Sequence, residues 1–102
     1  MRDSYYTLRQ DVLASVSMMP NTSDGSWLIT GVEVGRRGRG QGRAREVLEL
    51  CLADADTEGV VLWLSCDPQE HTVDFERLKQ WYEGYGFVFT GDDGVTMKRE
   101  PQ

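Results

Sequence analysis

Apolar and polar residues alternate over the first third of the chain, as they do in strands that bury one face of a sheet. From residue 12 to residue 18 every second side chain is apolar, namely Val12, Ala14, Val16 and Met18. We predict strands at residues 5–8 and 12–18 with a turn over 9–11 between them. A third strand, 27–34, follows a turn-forming segment rich in Pro, Asn, Ser, Asp and Gly. Gly31 within it indicates a bulge or a close backbone approach.

The apolar spacing then changes to that of an amphipathic helix, with one stripe formed by Ala44, Val47, Leu48, Cys51, Leu52 and Ala55. Gly59 is placed to end this helix at its C′ position. The apolar, β-branched run at residues 60–64 is typical of a strand buried on both faces. Strand, tight turn, helix and strand form a βαβ unit, so we expect strands 27–34 and 60–64 to be parallel, with a right-handed crossover.

A second helix is predicted from about Asp74 to Tyr85, with Gly86 placed to stop it. Its apolar side carries Phe75, Leu78, Trp81, Tyr82 and Tyr85. Residues 87–90 and 95–98, joined by the turn 91–94, predict a closing hairpin. The expected architecture is one α/β domain with a mixed sheet, spanning residues 1–102.

Composition excludes several classes of protein. The 102 residues are 39% hydrophobic, and their longest apolar run is too short to span a bilayer. The N-terminus has no apolar signal region, so we expect a cytoplasmic protein. Cys51 and Cys66 lack metal-site spacing and are expected to be buried thiols, with no metal. The net charge of −6 should repel nucleic acid and acidic membranes, so neither is expected as a partner.

Positive charge is nevertheless concentrated in one short segment. Five of the 11 basic residues lie within residues 36–45, namely Arg36, Arg37, Arg39, Arg43 and Arg45. Such a cluster indicates either an anionic ligand or an arginine-rich solvated loop. Gly38, Gly40 and Gly42 alternate at the same place, and glycines allow backbone N–H groups to converge on an anion at a helix N-terminus. The physical interpretation is a diphosphate site.

Two familiar phosphate loops do not fit this segment. A Walker A loop needs lysine after its second glycine, where this chain has Gln41. A dinucleotide fingerprint that starts at Gly38 meets Arg43 at its last glycine, and one that starts at Gly40 meets Arg45.

Residues 32–44, VEVGRRGRGQGRA, resemble the acyl-CoA motif of the GNAT superfamily of N-acetyltransferases, which also runs from a strand into a helix. Residues 81–87, WYEGYGF, are similar to that family's second signature, a Tyr-Glu pair three residues before Gly-Phe. The resemblance covers about residues 12–100. It implies a GNAT-like fold that lacks the family's first strand and the helices after it.

The resemblance also implies the site. The coenzyme A diphosphate would lie on the amides of residues 38–43, with contacts from Arg37, Gly38, Arg39, Gly40, Gln41, Gly42 and Arg43. The pantetheine arm would bond to the backbone at Val32 and Val34 like an added strand, in a gap where strands 27–34 and 60–66 splay apart. An oxyanion donor would come from the backbone near Val32. Tyr82 matches the tyrosine that donates a proton to the leaving thiolate, with acetyl-CoA as acyl donor and no metal.

No general base stands out in the sequence. Glu33 lies on the expected strand but is more typical of a surface carboxylate, and Ser26 or Thr30 could order a water that removes the proton. His71 lies in a loop with no visible partner. The acceptor is expected to be a small-molecule or protein amine, and the acidic surface favours a cationic one.

Two departures from the family leave alternatives open. The missing elements usually wall the acceptor pocket, so the acceptor site could be open, completed by a second subunit in a homodimer, or without function. Phe75 also stands where the family often has asparagine. The alternatives are a non-catalytic acyl-CoA-binding module, a nucleic-acid-binding protein that uses Arg36 to Arg45, and a structural fragment whose arginine-rich turn is solvated.

Overall fold

Six strands among the described residues form one mixed β-sheet, and two helices pack on the same face of it. The computed structural model describes residues 1–35, 42–66, 74–91 and 93–102. In chain order the elements are β1 (Ser4–Arg9), β2 (Val12–Pro20), β3 (Trp27–Val34), α1 (Arg43–Glu58), β4 (Leu62–Ser65), α2 (Phe75–Glu83), β5 (Val88–Phe89) and β6 (Thr96–Arg99). The strand order is β1-β2-β3-β4-β6-β5, in which β3 and β4 are parallel and all other neighbours antiparallel. The predicted mixed α/β architecture is confirmed.

The first two strands form a tight hairpin. Arg9 pairs with Val12, so the loop has two residues, Gln10 and Asp11, with φ of 52° and 62°. Two successive left-handed residues give a turn whose twist matches that of the flanking strands. The predicted turn is therefore confirmed. Both strands extend slightly beyond their predicted ends because the ladder continues to the turn on one side and to Pro20 on the other.

The core lies between α1, α2 and one face of the sheet. The predicted stripe of α1 is buried at Val47, Leu48, Cys51, Leu52 and Ala55. Gly59 ends α1 in the left-handed conformation, with φ of 69°, and its N–H bonds back to the last turn. Cys51 and Cys66 are both buried, as predicted, and burial raises the pKa of the Cys51 thiol to about 12.

Two details of the sequence prediction are wrong. The run at residues 60–64 was expected to be buried on both faces, but in β4 only Leu62 and Leu64 are buried, and Trp63 is half-buried. The reason is that Trp63 points away from the core and both helices. The second helix is also shorter than predicted. It begins after Asp74, whose carboxylate accepts from the Glu76 N–H, and it is capped at Gly84.

A buried ion pair joins the helices to the end of the sheet. The guanidinium of Arg99 on β6 donates to both carboxylate oxygens of Asp56 on α1, at 2.8 and 3.0 Å. Its Nε also donates to the carbonyl oxygen of Tyr85, at 2.7 Å. The backbone N–H of Gln102 adds a further bond to Asp56. These contacts fix α1 against β6 and against the turn that follows α2.

Candidate functional site

The two parallel strands separate soon after they meet. Trp27 pairs with Leu62 and Leu28 with Trp63, and no later residue of β3 has a partner on β4. From Ile29 to Val34, β3 is paired only along its other edge, with β2. The sheet therefore contains a split between β3 and β4, with an open edge of β3 backbone facing it. This is the gap that the sequence resemblance predicted.

A bulge in β3 marks the closed end of this split. Ser17 pairs with Gly31 and Met18 pairs with Ile29, which leaves Thr30 as an extra residue without a partner on β2. A bulge bends its strand and increases the local twist. Gly31 indicated a bulge or a close backbone approach, and the structure has a bulge at the neighbouring Thr30, two residues beyond the last pair between β3 and β4. The bend helps to turn β3 away from β4.

The next described element in the chain after β3 is α1, and its N-terminus has a free end that the sequence prediction assigned to an anion. Gly42 precedes the helix in the left-handed conformation, with φ of 75° and ψ of 13°, and provides no side-chain cap. Its carbonyl oxygen accepts the first helical bond from the Glu46 N–H. The first N–H groups of a helix have no partner within the helix, and they carry its positive partial charge. This end of α1 can therefore bind an anion.

Arg43 provides a second observation at the same place. Its Nε is buried and has no hydrogen-bond partner among the residues that the structure describes. An unsatisfied buried donor costs about 1–3 kcal/mol, so such atoms call for an explanation. An anionic group at the start of α1 would satisfy it. The nearby Arg45 differs, since it is exposed and lies 3.6 Å from Glu49. The described residues thus fit the diphosphate that the sequence predicts.

Not every predicted cofactor residue can be placed. Arg37, Gly38, Arg39, Gly40 and Gln41 lie outside the described residues, as does His71. Val32 and Val34 lie on β3 beside the split, and both are half-buried. Their cross-strand partners are Val16 and Ala14, so their side chains face the core while their backbone borders the gap.

The predicted acid, Tyr82, lies on α2, on the β4 side of the split. It is 8% exposed and packs edge-on against Trp81 and Phe87. Burial raises its pKa to about 12, and the nearby Cys66, just after β4, contributes to the increase. The phenol is therefore protonated at neutral pH. Trp81 and Tyr85 pack edge-to-face beside it, as expected of packing residues.

The candidate bases are spread over β3 and the loop before it. Glu33 is exposed, as expected of a surface carboxylate, and Thr30 is exposed at the bulge. Ser26 is buried, and its hydroxyl donates to the Asp24 carboxylate at 2.6 Å. These bonds from Ser26 hold the pKa of Asp24 below its usual range.

One feature near the split was missed by sequence reasoning. An open depression of about 470 Å³ lies beside the last β3–β4 pair and is lined by Met19, Pro20, Asn21, Thr22, Asp24, Ser26, Leu28 and Trp63. Seven of these eight residues lie within residues 19–28, and Trp63 is added by β4. The only signal in the sequence was the polar turn before β3.

The described ranges contain no helix long and apolar enough to cross a membrane. Within the same part of the chain, no group of three or more His, Cys, Asp or Glu side chains is arranged to hold a metal ion.

Solved structures with the same fold include three that cover most of this chain. The anti-CRISPR protein AcrVA5 matches with a TM-score of 0.69 and 20% identity, over 95% of this chain and 98% of AcrVA5. A Lactobacillus plantarum protein assigned as an N-acetyltransferase matches with a TM-score of 0.66 and 20% identity, over 89% of this chain and 67% of that protein. AtaTR bound with acetyl-CoA matches with a TM-score of 0.54 and 12% identity, over 87% of this chain and 57% of AtaTR.

These are proteins of the GNAT type, so the resemblance predicted from two sequence motifs is confirmed at the level of the fold. No protein-family model and no curated protein sequence matches the chain at a significant level.

Proposed function

We propose that the protein is an acyl-CoA-dependent N-acetyltransferase that transfers the acetyl group of acetyl-CoA to a primary amine. The observation that carries this proposal is the split between β3 and β4, which leaves one edge of β3 without a partner on β4. The helix that follows β3 in the chain, α1, begins without a side-chain cap. AtaTR has the same fold and is bound with acetyl-CoA, which supports the choice of ligand.

Two parts of the site suit two parts of the cofactor. The diphosphate would be bound by the first amides of α1 and by Arg43, whose buried Nε has no partner within the described ranges of the chain. The glycines and arginines of residues 37–41 would complete that half. The amide groups of the pantetheine arm would bond to the open edge of β3 at Val32 and Val34, in the manner of an added strand.

Acetyl-CoA supplies a thioester that reacts with the amine directly, within a ternary complex. The neutral amine nitrogen forms a bond to the carbonyl carbon, the bond from carbon to sulfur breaks, and the products are an amide and free thiol. An alkyl ammonium has a pKa of about 10, so it must first lose a proton. A backbone N–H near Val32 would donate to the oxyanion.

Tyr82 would act on the departing sulfur. A thiol has a pKa of about 8.5, well below the value of about 12 for this buried phenol. A complete proton transfer to a free thiolate would therefore be unfavourable. Tyr82 works instead by hydrogen bonding to the sulfur as negative charge develops in the transition state, and this is where its contribution to the rate would arise.

Thiol release from acetyl-CoA in the presence of a panel of amines tests the proposal. Removing one hydrogen-bond donor to developing negative charge costs about 10²–10³-fold in kcat, so Tyr82→Phe should lower kcat by at least about 100-fold and leave the Kd for acetyl-CoA unchanged. Tyr85→Phe is the matched control, since Tyr85 is a neighbouring aromatic in the same packing cluster. It should keep kcat within about twofold.

The main alternative is a module that binds acyl-CoA without catalysis. Burial of Tyr82 in the aromatic cluster is the observation that favours it. Acetyl-CoA binding with an equally negligible rate in wild type and Tyr82→Phe would establish this alternative. Failure to bind acetyl-CoA at millimolar concentration would reject both functions.

The acceptor is proposed to be a cationic amine, because the chain carries a net charge of −6 and an acidic surface attracts cations. Equal kcat/KM for matched cationic and neutral amines would contradict this preference.

A further inference from the structure

The face of the sheet opposite the helices is apolar and largely bare. Six large hydrophobic side chains on it are 39–68% exposed: Tyr6, Leu8, Leu13, Met19, Leu28 and Val88. Trp63 lies on the same face and is half-buried. Their cross-strand pairing places them together, and neither described helix packs on them. We call this surface the open face.

The open face has a raised row beside a shallow one. Met19 pairs with Leu28, Leu28 with Trp63, Trp63 with Lys98 and Lys98 with Val88, which makes one row of large side chains across five strands. Beside it, on β1, β2 and β3, runs a row of small residues, Ser4, Ser17 and Gly31. Beyond that row lie the remaining large apolar residues, Tyr6, Leu8 and Leu13.

The exposed apolar area is large for a chain of this size. A fully exposed large side chain offers roughly 150–250 Å², so the six together present on the order of 600 Å². That is the upper end of the largest patch on a typical monomer, about 300–600 Å². A standard interface buries about 800 Å² on each partner. With the small residues and Trp63 added to those six side chains, the open face approaches the area that one partner of a standard interface buries.

Its charge also differs from that of the whole chain. The protein carries a net charge of −6, yet the described strand residues of the open face include only two charged side chains, Glu33 and Lys98, which have opposite signs. Two copies meeting there would not bring like charges together. A nearly neutral face is poorly suited to nucleic acid or to an anionic membrane, since both bind through clustered cations.

We propose that the open face binds a second copy of this chain in a two-fold homodimer. A self-complementary patch is what a two-fold interface requires, and the row of Met19, Leu28 and Val88 in one copy can lie along the row of small residues in the other. The helices and the N-terminus of α1 remain on the outside. The inference therefore does not depend on the proposed function.

Sedimentation velocity tests it over a range of micromolar concentrations. Wild type should sediment as a species of twice the chain mass of 11.6 kDa. Leu13→Lys and Leu28→Lys should each shift it to monomer, because they place unpaired charges in the interface. Leu50→Lys is the matched control. Leu50 is 47% exposed, close to the 53% of Leu13, but lies on α1, so this variant should remain dimeric.

A second measurement does not rely on weakening the protein. Cys51 and Cys66 are buried, so a cysteine at the exposed Ser65, at the end of β4 and outside both rows, can be spin-labelled selectively. Labels at Ser65→Cys should be coupled between copies at a shorter distance than labels at Leu50→Cys. Wild type that stays monomeric throughout would overturn the proposal. So would equal dissociation by Leu50→Lys, or coupling that is shorter at Leu50.

Discussion

Replacing Asp56 with Asn removes the charge that compensates Arg99 in the protein interior. The Arg99 side chain is 4% exposed, and that of Asp56 is 27% exposed. Asn keeps the size of the side chain and one oxygen acceptor, so the change tests the charge rather than the packing. The same variant leaves the bond from Arg99 to the Tyr85 carbonyl in place.

The expected loss follows from the burial of both groups. Breaking a fully buried ion pair costs about 3–5 kcal/mol, because the remaining charge loses its partner. Since Asp56 is partly exposed and Asn still accepts one bond, we expect about 2–3 kcal/mol. In a domain of about 100 residues each kcal/mol lowers Tm by about 4–8 °C, so Tm should fall by roughly 10–20 °C.

Urea unfolding of wild type and Asp56→Asn at a series of pH values measures this loss. The bonds from Arg99 hold the pKa of Asp56 below its ordinary value of about 3.9. Stability from a lowered carboxyl pKa is present above the ordinary value and is lost as pH falls through the lowered one. The difference between the two proteins should therefore be constant at neutral pH and shrink in acid.

An exposed ion pair in the same region is the control. Lys98 and Glu100 lie 3.0 Å apart, and the Glu100 side chain is 66% exposed. Glu100→Gln should change stability by less than about 1 kcal/mol. If Asp56→Asn cost no more than Glu100→Gln, or if its cost did not diminish in acid, the role assigned to the buried pair would be wrong.

Three further predictions concern the site and the fold. Arg43→Met should weaken acetyl-CoA binding at least about tenfold in calorimetry, since a charge-assisted hydrogen bond contributes about 1.5–3 kcal/mol; an equal effect of Arg45→Met would contradict a specific role. Thr7→Val should raise the free energy of unfolding by about 1 kcal/mol, because the Thr7 hydroxyl is buried and no described residue bonds to it. Thr96→Val should lower the free energy of unfolding, because the Thr96 hydroxyl donates to the Asp93 carboxylate. If both variants changed the free energy of unfolding in the same direction, the argument would be refuted. Gly59→Ala should cost about 1 kcal/mol in thermal unfolding because φ is 69°, and no loss would contradict a strained cap.

Local signals explain why most of the fold could be predicted. A strand with the alternation from Val12 to Met18 can bury all four apolar residues in only one orientation, and β2 adopts that orientation. The stripe of α1 and its end at Gly59 follow from helical spacing and from the conformational freedom of glycine. The position of the split was predicted as well. The family resemblance implied it, and the motif that carries that resemblance is a continuous run of residues.

The failures come from contacts that no local pattern contains. An apolar run such as that at residues 60–64 is compatible with a strand buried on both faces and with a strand that has one exposed face. Only the placement of both helices on one side of the sheet distinguishes the two cases. The pair of Arg99 and Asp56 joins residues 43 positions apart, and neither stands in a motif.

The open edge of β3 gives the proposed ligand a physical reason to bind. Backbone N–H and C=O groups that are shielded from water are costly unless they are hydrogen-bonded. Between Ile29 and Val34 that edge has no partner on β4, and the bulge at Thr30 prevents the two strands from closing together. A ligand arm with its own amide groups would complete the ladder, and its anionic end would reach α1. Binding should therefore stabilise the fold, by about 2.7 kcal/mol at 100 times the Kd.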